Sequence, residues 1–205
     1  MNRAIFAAAS AAALLVAGSA SAQVAQQTVT INGNVEAKCG VTAQTSTINL
    51  AGDLTDSRAL VRTAVTQEIA TALNAAQIIP FCNGTTNQVE IKRAVLARSG
   101  ATGGGLLGDF AQYVRYNLDA SLGGTVLDTT TVDGATSNVG RFGGHFSAGS
   151  TATHLNFAPS AANGNAVAAS GGSDTTSGTW NARTDRRLAA GAYQGSVQVV
   201  LTPGA

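Results

Sequence analysis

The side chains that could do chemistry are few. His145 and His154 are the two histidines, nine residues apart. With an aspartate they could begin a metal site, but no third histidine and no ligand-spaced cysteine pair joins them, so surface or packing roles are the simpler expectation. Cys39 and Cys82 are the two cysteines, 43 positions apart, too far for a C-x-x-C metal or redox motif. In an exported chain an even pair reads as one disulfide, and closing a loop of that size stabilises by roughly 4 kcal/mol in the chain-entropy picture. Asp185-Arg186-Arg187, preceded by Arg183, is the densest charge cluster. It suits either an anionic sugar or phosphate, or a solvated loop whose Arg–Asp pairs carry little energy. Residues 103–108 match G-x-G-x-x-G, but a dinucleotide site needs a strand before and a helix after that motif. The β–loop–β context predicts a flexible glycine loop instead. Trp180, Tyr193, Tyr113 and Tyr116 could form a sugar platform, although a chain this poor in aromatics needs them in its core. Asn83-Gly84-Thr85 is formally a glycosylation sequon and equally a turn. No nucleophile lies beside a base, and no acid–base pair stands out. The expectation is a protein that is not an enzyme, with no catalytic residue, no metal and no cofactor.

The composition narrows the class. Of 205 residues, 44% are hydrophobic, 5% aromatic and 11% charged, with 24 glycines. Such low charge excludes a polyelectrolyte tail, which needs charge to stay solvated. It also excludes a nucleic-acid module, which needs a basic face. Arg3, the alanine-rich run 4–17 and the small-residue site Ser19-Ala20-Ser21-Ala22 read as a signal peptide over residues 1–22. The run is too short to span a bilayer. Removing Arg3 from the 12 basic side chains leaves as many as the 11 acidic ones, so steering by net charge is not expected.

The elements are mostly strands. Residues 28–39 alternate without a break: Val29, Ile31, Gly33, Val35, Ala37 and Cys39 on one face, polar residues on the other. Residues 45–50 read as a short strand. Residues 55–76 fit a short helix or helical turn, or else a strand and a loop. Pro80 argues against a fully bonded central strand at 77–82. Asn83-Gly84 suggests a hairpin joining that segment to 88–97, where Val89, Ile91, Arg93 and Val95 alternate with polar residues. Residues 111–118 read as a strand and 121–133 as another with a turn. Residues 160–178, rich in Ala, Asn, Gly and Ser, read as a long surface loop. In the last segment Tyr193, Gly195, Val197, Val199 and Leu201 share one face of a single strand. Many short strands and turns predict an all-β sandwich in one domain.

The order of these features resembles the spore coat protein U domain, the family that includes subunits of archaic chaperone–usher pili. The residues that carry the resemblance are Cys39-Gly40-Val41, Pro80-Phe81-Cys82-Asn83-Gly84, Tyr116-Asn117-Leu118 and the closing run from Ala190 to Val199. The resemblance covers most of the chain after the signal peptide. It implies an immunoglobulin-like β-sandwich lacking its last strand, over residues 38–205, with a donor-strand segment at 23–37. The inserted side chains would be Val29, Ile31 and Val35. The acceptor groove would be walled by Tyr193, Val197, Val199 and Leu201. The implied partners are a periplasmic chaperone, an outer-membrane usher and identical or related subunits. The implied destination is a cell-surface fibre serving adhesion or biofilm formation. The tail Thr202-Pro203-Gly204-Ala205 departs from a pattern that ends on a large hydrophobic residue. A self-contained secreted sandwich that binds a glycan is the alternative.

Overall fold

The alternation at residues 88–93 is where the fold is built: Val89, Ile91 and Arg93 are buried while Gln88 and Lys92 face water. A computed structural model describes residues 29–101, 106–127, 137–144, 154–170 and 181–204. The chain divides into two units, Met1–Val35 and Glu36–Ala205. Of the first, residues 29–35 are exposed and form no strand. Among its described residues, the second is all-β apart from one helix.

Among the described residues, 15 strands form five sheets, and every strand pairing is antiparallel. β1 (Cys39–Thr42) pairs with β2 (Ile79–Cys82). β3 (Asn87–Arg93) lies between β10 (Ser137–Val139) and β15 (Val197–Thr202). β8 (Leu118–Leu122) lies between β9 (Thr125–Leu127) and β11 (Leu155–Pro159). The largest sheet runs β13 (Asn181–Ala182), β12 (Val167–Ser170), β7 (Tyr113–Arg115), β4 (Leu96–Arg98), β14 (Tyr193–Gln194). β5 (Leu106–Leu107) and β6 (Phe110–Ala111) form a small ribbon.

Residues 55–76 resolve into a loop followed by α1 (Val65–Ala75). Val65, Ile69, Ala70 and Leu73 fall on one helical face and are buried. Arg62 braces the entry through a two-pronged ion pair with Glu68, at 2.7 and 2.9 Å. The helix packs on β11. There Asn74 acts as an extra strand partner: its Nδ2 donates to Phe157 O (2.9 Å) and its Oδ1 accepts from Phe157 N–H (2.8 Å). Val65, Leu73, Ile91, Val114, Leu118 and Phe157 sit in one core.

The disulfide joins Cys39 to Cys82, which face each other across β1 and β2 with Cα atoms 4.2 Å apart.

Several expected elements are corrected. The half-buried strand expected over 28–39 is not formed: Thr28 lies outside the described residues, residues 29–38 form no strand, Val29, Ile31 and Val35 are 76%, 92% and 83% exposed, and pairing starts only at Cys39. Residues 45–50 form no strand, although Ile48 and Leu50 pack against the core. Asn83-Gly84 turns the chain, yet β2 and β3 do not form a hairpin: each pairs with other strands. The 111–118 strand is divided among β6, β7 and β8, which lie in three sheets. Of the expected 160–178 loop, residues 171–178 lie outside the described residues, and the remainder contains β12, whose Ala168, Ala169 and Ser170 are buried. Alanine has too little apolar surface to mark a strand by pattern, but it suits an interior position of the largest sheet.

The closing strand is also two. β15 pairs with β3, while β14 pairs with β4 in another sheet. The two chains bend together: Ala94 N–H donates to Ser196 O at 2.8 Å, and a Cβ on Gly195 would lie 2.8 Å from Val95 O. A paired ribbon thus passes from one sheet to the next at a point where only glycine leaves room.

Candidate functional site

Register places Val197, Val199 and Leu201 directly opposite Arg93, Ile91 and Val89, so all six side chains lie on one face of the sheet. Their exposure differs sharply. Val89, Ile91 and Arg93 are 0%, 1% and 4% exposed. Val197, Val199 and Leu201 are only half-buried, although they pack against the same core. β15 ends its sheet, and among the described residues no strand pairs with its outer edge. β1 lies close to it without a ladder between them. An apolar strand with an open edge is a template for another strand.

Both ends of β15 are held. At its start, Ser196 O accepts from Ala94 N–H and from the Tyr116 hydroxyl (3.2 Å). Burial pushes the Tyr116 phenol up to about 12, while Arg93 beside it acts in the opposite sense. Arg93 donates through Nη1 to Tyr116 O (3.0 Å) and Asn117 Oδ1 (3.2 Å). Burial lowers the Arg93 pKa from its ordinary value; the nearby Tyr116 and Asp119 oppose that shift. At the far end, Gly204 N–H donates to Asn87 Oδ1 (3.2 Å). Asn87 is fully buried and donates to Gly84 O (2.8 Å) and Gly140 O (3.0 Å). The short polar tail after β15 is thus tied down by a side chain at the head of the neighbouring strand.

Tyr193 does not share a strand with Val197, Val199 and Leu201. It sits in β14, half-buried, and its hydroxyl donates to Ala189 O at 2.7 Å. Burial pushes its phenol up to about 12, opposed by Arg98.

Asn83 orders the chain at residues 36–38. Its Oδ1 accepts from Lys38 N–H (2.5 Å), its Nδ2 donates to Glu36 O (3.0 Å), and its N–H donates to Lys38 O (3.1 Å). Arg141 Nε donates to Asn83 O at 3.0 Å. The amide that the sequon would glycosylate is therefore occupied as a clamp.

The other candidates are dispersed. His154 is buried at the head of β11, its Nε2 without a partner among the described residues. No group of three metal-ligating side chains occurs among those residues. Tyr113 and Tyr116 are core residues. His145, Trp180 and residues 103–105 lie outside the described residues. Arg183 donates to Ser170 Oγ (2.7 Å), whereas Asp185, Arg186 and Arg187 line a cleft together with Arg58, Leu60, Asp109 and Phe110.

Sequence reasoning missed Asn87 and Tyr116 as the residues that hold the β15 edge in place, and Asn83 as the clamp on residues 36–38. A signal existed for Asn87, which lies in phase with Val89 and Ile91 and so falls on the buried face. No family model, curated protein or solved structure matches the chain.

Proposed function

We propose that the chain is a structural, non-enzymatic subunit of an extracellular fibre assembled by donor-strand exchange. The observation that carries the proposal is the step in exposure from β3 to β15. Side chains on one face pass from fully buried to half-buried across a single strand, at an edge held at both ends and, among the described residues, unpaired along its length. A strand added there gains main-chain hydrogen bonds, and its alternate side chains fill the gap beside Val197, Val199 and Leu201. The segment 23–37 of another copy has the required pattern. Its Val29, Ile31 and Val35 alternate with polar residues and stand exposed.

In this reading residues 38–205 are an immunoglobulin-like sandwich lacking its last strand, and residues 1–22 direct export. In the periplasm a chaperone covers the β15 edge, because an uncovered apolar edge aggregates. At an outer-membrane usher the arm of the next subunit replaces the chaperone strand, and the polymer emerges at the cell surface to serve adhesion or biofilm formation. Tyr193 then supports the wall from the adjoining sheet instead of lining it.

The test uses residues 23–205 purified with the disulfide intact. The protein forms ladders that resist warm detergent, and a synthetic peptide of residues 23–37 blocks them. Removing residues 23–31 abolishes the ladders. If the shortened chain polymerises as well as the full one, the proposal fails.

A further inference from the structure

We infer that the cleft between the 56–60 loop, the β5–β6 ribbon and the loop preceding Leu188 binds an acidic saccharide, a sugar ring bearing a carboxylate. The cleft measures about 400 Å³, within the range of small-ligand sites.

Three segments are locked together to make it. Ala111 N–H donates to Arg187 O (2.8 Å), and Leu188 N–H to Ala59 O (2.9 Å). Ala59 has a φ of 60°, a left-handed conformation that costs a non-glycine residue energy. The turn is held by Asp56, whose Oδ1 accepts from the backbone of Arg58 (2.8 Å) and Leu60 (3.0 Å). Its result is to aim Arg58 O at Arg187, whose Nε donates to it at 2.9 Å. Arg187 is thereby oriented by one nitrogen, and its two terminal nitrogens have no partner among the described residues.

Arg186 is under-satisfied. Its Nε is buried without a hydrogen-bond partner among the described residues, and its ion pair is a loose one of 3.6 Å to Asp109, whose side chain is 96% exposed. A carboxylate arriving at the Arg186 terminal nitrogens would add charge-assisted hydrogen bonds to a guanidinium that, among the described residues, holds only this loose ion pair.

The remaining lining residues define what else the ligand carries. Asp109 and Asp185 add two carboxylates, which accept hydrogen bonds from hydroxyls and repel a polyphosphate. Phe110 is 44% exposed and offers an apolar surface for the C–H face of a sugar ring. One anionic group, several hydroxyls and one apolar face describe a uronic or sialic type of sugar better than a bare anion or a neutral one.

This site involves neither the β15 edge nor the arm, so it stands or falls separately from the fibre reading. The test titrates residues 23–205 with glucuronate, and with glucose, acetate and inorganic phosphate as the neutral, ring-free and carboxylate-free counterparts. Binding is followed by isothermal calorimetry and by amide chemical shifts. Glucuronate should bind at about the millimolar level expected of a ligand this small, and each counterpart at least roughly tenfold more weakly. Arg187→Gln should weaken glucuronate roughly tenfold or more while leaving the spectrum folded. Phe110→Ala, on an exposed side chain, serves if Arg187→Gln misfolds and should weaken binding several-fold. Equal binding of glucose, equal binding of phosphate, or no saturable glucuronate binding each overturns the inference.

Discussion

Asn74→Ala isolates the device by which a helix finishes a sheet edge. Asn74 makes two hydrogen bonds to the backbone of Phe157, at 2.8 and 2.9 Å, on the side of β11 away from β8. Phe157 is 4% exposed. Truncation removes both bonds and leaves one N–H and one C=O of an edge strand to recruit water. Because Asn74 itself lies at the surface, the lower half of the range applies, about 1 kcal/mol per bond. Alanine returns about 0.5 kcal/mol through its better helix propensity. The net loss is about 1.5 kcal/mol, a fall in Tm of roughly 3–6 °C for a chain of this size. Urea unfolding of residues 23–205 with the disulfide intact measures it: the midpoint should fall while the slope stays constant. Asn74→Asp keeps the acceptor for the Phe157 N–H but sets a carboxylate oxygen against Phe157 O in the last turn of the helix, and should be no more stable than Asn74→Ala. If Asn74→Ala is as stable as the parent, the side chain is not completing the strand and the reasoning is refuted.

Alkaline pH tests the two buried phenols. Tyr116 and Tyr193 are pushed up to about 12 by burial, so the unfolded chain loses their protons first, near pH 10. Stability is therefore fully present below pH 10 and is lost as pH rises from 10 towards 12; absorbance at 295 nm should show these phenolates appearing only as the fold is lost, and Tyr116→Phe should flatten part of the decline. Reducing the Cys39–Cys82 disulfide, or replacing both cysteines by serine, should cost about 2–4 kcal/mol, read as a lower urea midpoint. Ala169→Leu adds methylenes at a position with 0% exposure and should destabilise by about 1–3 kcal/mol, measured by thermal unfolding.

Where one face of a strand is buried and the other wet, the sequence was readable. The alternation of Val89, Ile91 and Arg93 against Glu90 and Lys92 marks β3 and its buried face, but the single strand expected over 88–97 ends at Arg93 and resumes as β4 in another sheet. The cysteine pairing was equally legible, because only two cysteines exist. The helix was half legible: its apolar stripe begins at Val65, but the preceding loop is organised by Asp53 and Asp56 through local hydrogen bonds that no periodicity reveals. β12 was hidden because alanines carry no contrast between faces. The break between β14 and β15 was hidden because Gly195 and Ser196 fit the alternating pattern as well as a bend does. In the 28–39 segment alternation alone could not tell a paired, half-buried strand from an exposed segment that pairs with nothing before Cys39. The edge at β15 was implied only by the family resemblance and not by any residue pattern, since an open edge is a property of which strands fail to pair.

The tie between Asn87 and Gly204 spans 117 positions of sequence, and β15 meets β3 just inside it. A chain synthesised amino end first therefore delivers β3 long before the strand that completes its sheet. Until the last residues arrive, Val89 and Ile91 have no neighbour on that side. Such non-local closure is slow, and chains with exposed apolar strands aggregate while they wait. Folding of this domain is thus timed by the arrival of its carboxyl end, and a chain shortened by only the final strand is left with its central strand uncovered.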